Sequence, residues 1–165
     1  MFFRRFLGSG FRSDGIVLGG GVVLLAILGM LSVVHRERPR NIALVSFGSE
    51  HFSLEVADTP VLHQRGLGGR TELPERGGML FLFGELGART FWMKDMKMPI
   101  DIIWLAGSRI IGVEHTVPAP PSGIPDEELP RYHSPEPADR VIELAAGRTE
   151  ELGLRVGQTV EIQLP

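Results

Sequence analysis

The chain has 165 residues, a formal net charge of −3 and no cysteine, with 43% hydrophobic and 22% charged residues. This length suits one domain with a short extension, and the lack of cysteine excludes disulfides, iron–sulfur clusters, zinc–thiolate sites and thiol nucleophiles. So small a net charge does not predict nucleic-acid binding. The charge is nevertheless divided unevenly, because residues 1–40 carry six basic and two acidic residues, whereas residues 41–165 carry 11 basic and 18 acidic residues.

The N-terminal part contains an apolar segment, residues 15–34, without a charged residue. As a helix rising about 1.5 Å per residue, it is long enough to cross the hydrocarbon layer of a bilayer. A cleaved signal peptide is disfavoured because no pair of small residues stands at the −3 and −1 positions of a cleavage site. A buried soluble helix is disfavoured by three consecutive glycines, residues 19–21. The sequence therefore predicts a basic tail (1–14), a transmembrane signal anchor (15–34), a linker (35–41) and a soluble domain (42–165).

Arginines flank the apolar segment equally on both sides, so the positive-inside rule does not decide its orientation. A first span with a short basic tail most often leaves that tail in the cytoplasm. We therefore expect a single-pass protein of the inner (cytoplasmic) membrane, with its soluble domain on the periplasmic or extracellular side. Without cysteine, the chain cannot carry the lipid anchor of the usual bacterial lipoproteins.

The first half of the soluble part predicts strands and one short helix. Residues 42–47 and 51–57 have the composition and alternation of strands, and Gly48 with Ser49 predicts a tight turn between them. Thr59 followed by Pro60 predicts the start of a short helix. Further strands are predicted over four ranges, residues 79–83, 89–94, 100–105 and 109–117, of which the last two form a hairpin.

The second half begins with residues 118–137, which hold seven of the 12 prolines. Proline has no N–H to offer a sheet, so this segment predicts a long surface excursion. Strands over residues 140–145 and 159–164, with a helical turn over 147–152, complete the domain. This pattern predicts a mainly β fold, a compact antiparallel sandwich or small barrel with two short helices.

Several stretches together resemble, in order and spacing, the domain of unknown function 192 family (DUF192). They are HQRGLGGR (63–70), GMLFLF (78–83), FWMKD (91–95), PIDII (99–103) and VIELAAG (141–147). The resemblance covers residues 51–163 and implies a compact, largely β fold, but it implies no activity, since none is settled for the family. Gly68 and Met96 stand where the family usually has methionine and threonine, so we expect the binding surface to differ locally.

Two carboxylates lie inside apolar strands, Asp101 after Ile100 and Glu143 after Ile142. Alternation predicts that both face solvent, as surface charges or as partners of Arg70 or Lys94. A second interpretation places Arg70, Lys94, Asp101 and Glu143 in one cleft that binds a small polar ligand. A third makes Asp101 and Glu143 the general acid and base of a hydrolase.

Three methionines, Met93, Met96 and Met98, are weak candidates for a Cu(I) site, because thioethers are soft ligands. His115 and His133 could add ligands to such a site. The alternative is that the methionines fill gaps in the core, and we predict no cofactor.

Two further features have weaker functional interpretations. Arg65 and Arg70 flank a run of glycines that could hold an anion, although a simple helix C-cap explains the same glycines. An exposed Trp92 beside Lys94 would suit contact with a sugar or an aromatic group.

The sequence contains neither a nucleophile-elbow motif nor a zinc-protease motif. We therefore expect a membrane-anchored extracytoplasmic domain that binds a small ligand or a partner protein of the envelope. The alternatives are a hydrolase that uses Asp101 and Glu143, and a structural accessory of an envelope complex that docks through residues 118–137.

Overall fold

The computed structural model of the protein describes residues 41–165. The predicted basic tail, the predicted membrane span and all but the last residue of the predicted linker lie outside these residues. Within residues 41–165, none of the helices combines the length and the apolar character that crossing a membrane requires.

The described residues form nine strands and two short α-helices. The strands are β1 (Ile42–Phe47), β2 (Glu50–Ala57), β3 (Gly77–Gly87), β4 (Thr90–Trp92), β5 (Ile100–Ala106), β6 (Arg109–Val117), β7 (Arg131–His133), β8 (Ala138–Ala145) and β9 (Glu161–Gln163). The helices are α1 (Pro60–Arg65) and α2 (Arg148–Glu151), and a single 3₁₀ turn covers Asp126–Glu128. Thr59 caps α1 as predicted, since its side chain accepts a hydrogen bond from the N–H of Leu62.

Seven strands form one sheet in the order β6-β5-β8-β3-β2-β1-β9, and β4 pairs with β7 in a separate two-stranded sheet. The two edges of the large sheet approach each other at one end. There, Arg109 at the start of β6 forms a β-bridge with Thr159 just before β9. Beside this bridge the N–H of Val160 donates to the carbonyl of Ser108 at 2.8 Å. The sheet is therefore curled into a half-barrel, and the prediction of a mainly β fold with two short helices is confirmed.

Both faces of the curled sheet are buried along the central strands β5 and β8, whereas β1 has one exposed face. The inner face carries one hydrophobic cluster, which includes Ile103 and Leu105 of β5, and the outer face carries a second, which includes Ile102 and Trp104. The outer cluster is covered by α1, by the segment from residue 88 to residue 98, and by the β4–β7 sheet. Residues that alternate along β5 and β8 are consequently divided between two cores rather than between a core and solvent.

Two expectations about the strands were wrong. β2 and β3 pair in parallel, so the sheet is not antiparallel throughout. Residues 131–133, inside the segment expected to be a surface excursion, form β7 and pair with β4. This pairing is possible because Pro130 and Pro135 lie outside the three residues that supply the ladder with N–H groups.

Candidate functional site

A cavity of about 260 Å³ lies on the outer side of the sheet, beside α1 and β4. We call it the Glu143 cavity. Its ionisable lining residues are His63, Arg65, Arg89, Lys94 and Glu143, and its largest apolar lining residues are Phe81, Phe83, Phe91, Trp92 and Met96.

The Glu143 carboxyl group is buried in the wall of this cavity, and the residue is only 5% exposed. Glu143 lies on β8 between Ile102 of β5 and Met79 of β3. Burial raises its pKa from 4.5 to about 8, although the charge of Arg70 acts in the opposite direction. At neutral pH the group is therefore mostly a neutral carboxylic acid, with one O–H donor and a remaining acceptor.

One oxygen of this carboxyl group, Oε2, has no hydrogen-bond partner among the described residues. An unsatisfied buried polar atom costs about 1–3 kcal/mol. The oxygen lies close to Gly66, because a Cβ atom placed there would be 3.8 Å from Oε2. Gly66 ends α1 with φ of +49° and itself lines the cavity. The unpartnered oxygen thus lies at the end of α1 that borders the cavity.

His63 contributes a second polar group whose hydrogen position is fixed. Its Nε2 atom lies 3.0 Å from the carbonyl oxygens of both Ala57 and Leu82. Both neighbours are acceptors, so Nε2 must carry hydrogen, and Nδ1 is the acceptor of the neutral ring. The ring packs against Phe83 with the centroids 4.5 Å apart. The sequence presents His63 only as the first residue of the HQRGLGGR stretch, and its two partners are backbone carbonyls, which no side-chain pattern marks.

The three cationic side chains that line the cavity differ in how far other residues of the protein already bind them. Arg89 donates from Nε to the carbonyl of Ala138 at 2.9 Å, and its guanidinium lies 4.1 Å from the centre of the Phe83 ring. Lys94 forms an ion pair with Asp126. Arg65 is exposed, and its backbone carbonyl accepts a hydrogen bond from Gly68, but its guanidinium forms no hydrogen bond or ion pair with any residue of the described part. Arg65 is therefore the cation that is available to a ligand.

Of the four residues predicted for a ligand site, Lys94 and Glu143 line the cavity. Arg70 is instead held by Glu55, to which it donates two hydrogen bonds of 2.6 and 2.8 Å. This hydrogen bonding raises the pKa of Arg70. Arg70 still acts on Glu143 through its charge, but its guanidinium is already paired.

The prediction that Asp101 and Glu143 face solvent was wrong, because β5 and β8 are buried on both faces at these positions. Asp101 is fully buried and is not among the lining residues of the cavity. Its Oδ1 accepts hydrogen bonds from the N–H groups of Thr116 and Gly147, at 2.7 and 3.1 Å. Its Oδ2 accepts from the N–H and the hydroxyl of Thr149, at 2.8 and 2.7 Å. Asp101 thus joins β6, the end of β8 and α2, which is a structural role.

The three methionines pack in or against the outer hydrophobic cluster. Met93 and Met96 are buried, and Met98 is partly buried. In residues 41–165, no group of three or more His, Cys, Asp or Glu side chains could hold a metal ion. His115 and His133 lie beside hydroxyls, with Nδ1 at 2.7 Å from Thr149 Oγ1 and at 3.0 Å from Thr90 Oγ1.

Trp92 is half-buried rather than freely exposed. The Arg131 guanidinium lies 4.3 Å from the centre of its ring and the Lys94 ammonium 5.4 Å. These cations occupy part of the surface that was predicted to contact a sugar or an aromatic group.

Comparison with known proteins gives a family and two structural relatives. Residues 43–162 match the model of DUF192, described as an uncharacterized ACR. A protein from Sinorhizobium meliloti, described as a candidate transcription regulator, is 28% identical, with a TM-score of 0.63, over 74% of this chain and 93% of that chain.

A protein of unknown function from Novosphingobium aromaticivorans is also 28% identical, with a TM-score of 0.62, over 73% of this chain and 83% of that chain. The sequence finds no match among curated proteins. The family match spans most of the chain and includes both α1 and Glu143. The chain therefore belongs to the DUF192 family.

Proposed function

We propose that the domain binds a small molecule in the Glu143 cavity. The observation that carries this proposal is the unpartnered Oε2 atom of Glu143, buried beside a cavity that a ligand can enter. A ligand oxygen or N–H would satisfy this atom and recover the cost of leaving it unpaired. At about 260 Å³ the cavity is just below the usual range for drug-sized ligands. It suits a monosaccharide or a compound with one aromatic ring.

Binding without bond cleavage fits the side chains better than the hydrolase alternative does. The hydrolase needs Asp101 as one of its two carboxylates, and all the bonding capacity of that group is directed to the backbone and hydroxyl of the fold. Glu143, by contrast, can donate from its neutral acid form, and His63 can accept at Nδ1. The cavity therefore offers a donor and an acceptor to the ligand.

A screen of small alcohols, sugars, amides and carboxylates tests this proposal by saturation-transfer NMR with the purified full chain. At least one class should bind, and Glu143→Leu should weaken its binding about tenfold, as expected for the loss of one or two hydrogen bonds in a buried site. Glu161→Leu, at an exposed residue of β9, is the matched control and should bind like the wild type. Equal binding by all three proteins, or no binding by any, would overturn the proposal.

We also propose that residues 15–34 anchor the chain in the inner membrane, with the domain on the outer side. The support is the uncharged length of this segment and the opposite charge of the two parts of the chain. A reporter enzyme that is active only outside the cytoplasm, fused after residue 165, should be active. An inactive reporter on a stably expressed fusion contradicts this location. The expectation of an envelope partner remains a prediction.

A further inference from the structure

We propose that the ligand of the Glu143 cavity is a small aromatic carboxylate, whose ring packs among the phenylalanines and whose carboxylate binds Arg65. This inference rests on the proposed function and adds to it the charge and the shape of the ligand. Three features of the lining support it: the balance of charge, the free guanidinium and the aromatic walls.

The balance of charge in the lining is positive. Among the lining residues that belong to the described part of the chain, Arg65, Arg89 and Lys94 are cations, and Glu143 is the single carboxyl group. Because Glu143 is buried and its pKa is raised to about 8, it contributes little negative charge at pH 7. Asp126 neutralises Lys94 from outside the cavity. The arginines leave an excess of positive charge, which attracts an anion.

Arg65 is the residue that can meet the anion directly. Its guanidinium is exposed and has no partner in the described part of the chain, whereas Arg89 is bound to backbone carbonyls. A guanidinium presents two parallel N–H donors, the geometry that a carboxylate accepts best. Arg65 also precedes Gly66, which lies next to the buried Oε2 of Glu143. The carboxylate of a ligand can therefore bind Arg65 at the end of α1, while another of its groups contacts the neutral acid of Glu143, on β8 beside Gly66.

The walls favour an aromatic ring over a bare anion. Phe91 meets Phe81 edge to face at a centroid distance of 4.8 Å, and meets Phe83 at 6.5 Å. Such a cluster offers ring faces and edges to a further aromatic group, which gains about 0.5–1.5 kcal/mol for each well-placed pair. Inorganic phosphate would contact the cations without filling this part of the cavity.

The test uses 4-hydroxybenzoate as the probe, because it carries a ring, a carboxylate and a hydroxyl that can meet Glu143. Titration calorimetry with the purified full chain at pH 7 compares it with 4-hydroxybenzamide, its neutral isostere, and with inorganic phosphate. We expect 4-hydroxybenzoate to bind, the amide to bind about tenfold more weakly, and phosphate to show no binding. Arg65→Gln should weaken the acid about tenfold and leave the amide unchanged. Arg155→Gln, at another exposed arginine, should leave the affinity for both compounds unchanged.

The outcomes separate this inference from the proposed function. If the amide binds as tightly as the acid, or if Arg65→Gln has no effect on the acid, the anion inference is wrong. Binding of phosphate as tight as that of 4-hydroxybenzoate would remove the requirement for a ring. If none of the three probes binds while another compound of the screen depends on Glu143, the inference fails and the proposed function stands. If neither the probes nor any compound of the screen binds, or if Glu143→Leu binds every compound as tightly as the wild type does, both this inference and the proposed function are wrong.

Discussion

The two buried carboxyl groups of the domain differ in how far the protein satisfies them. Asp101 accepts four hydrogen bonds from three residues, two to each oxygen. Glu143 lies on the neighbouring strand, and its Oε2 accepts none from the described residues. This difference assigns Asp101 to the stability of the fold and leaves Glu143 available to a ligand.

We predict that Asp101→Asn destabilises the domain by about 3 kcal/mol or more. The amide would replace one acceptor oxygen with an NH₂ group, which would face N–H donors and leave them buried without partners. Urea unfolding monitored by circular dichroism measures the change. Asp58→Asn, at an exposed position, is the control and should be close to neutral. An Asp101→Asn protein as stable as this control would show that the hydrogen bonds are not essential.

Glu143 makes the domain less stable as the pH rises. Its pKa is about 8 in the folded protein and 4.5 in the unfolded chain. Between these values the folded state holds a proton that the unfolded state has lost, so raising the pH favours unfolding. The stabilisation of the folded state by the proton on Glu143 is complete below about pH 4.5 and is lost as the pH rises to about 8.

We therefore predict that the wild type loses stability relative to Glu143→Gln by about 1.4 kcal/mol per pH unit between pH 5.5 and 7.5. The glutamine has no proton to lose, and the neighbouring charges of Arg65, Arg70 and Lys94 are the same in both proteins, so its unfolding curves serve as the reference for every other group that titrates. Urea unfolding at several pH values measures the difference. A constant difference across this range would mean that Glu143 is ionised in the folded protein.

At the scale of elements, the position of Glu143 depends on how closely β3 approaches β8. Gly78 of β3 pairs with Leu144 of β8, and a Cβ atom at Gly78 would overlap the backbone oxygen of Glu143. The same strand carries Gly84, where a Cβ atom would meet no neighbour within 4 Å. The requirement for glycine is therefore specific to one end of β3.

We predict that Gly78→Ala destabilises the domain by about 2 kcal/mol or more, because the added methyl group must push two paired strands apart. Gly84→Ala should change stability by less than about 0.5 kcal/mol. Thermal unfolding of the two variants, side by side, measures the contrast. Equal melting temperatures would show that β3 and β8 can separate at this point without cost.

Caps and turns in the sequence predicted many of these elements, whereas the pairing of strands far apart in the chain could not be predicted from them. Thr59 and Pro60 mark the start of α1, and Gly48 with Ser49 marks the β1–β2 turn, because capping and turn chemistry act within a few residues. The pairing of β4 with β7 joins residues about 40 positions apart and has no local signature. Arg70 was predicted to meet a ligand for a similar reason, since nothing near it in the sequence points to Glu55.

At the scale of the whole domain, the curl of the sheet explains why the candidate site was only partly foreseen. Alternation along β5 and β8 correctly placed Asp101 and Glu143 out of phase with their apolar neighbours Ile100 and Ile142. It could not show that these positions are covered. Glu143 lies on the outer face, which α1 and the β4–β7 sheet cover. Asp101 lies on the inner face with Leu144 and is enclosed by its hydrogen bonds to β6 and α2. Glu143 was therefore recognised as a polar group of interest while its burial was missed.

The elements that cover the outer face, α1 and the β4–β7 sheet, also create the Glu143 cavity. A sheet with one solvated face would leave Glu143 ionised and hydrated, with no binding site beside it. Placing α1 and β4 over this face dehydrates the carboxyl group and leaves about 260 Å³ unfilled next to it. The central claim is that this neutral acid is the polar contact for a small ligand.

The most direct test is the ¹³C chemical shift of the Glu143 carboxyl carbon, in protein labelled at the glutamate side-chain carboxyls. The signal is assigned by its loss in Glu143→Gln. At pH 6.5 we predict the shift of a protonated acid, and we predict that this signal moves on addition of a compound that binds in the screen. A signal at the position of an ionised carboxylate, or one that does not respond to a bound compound, would contradict the account.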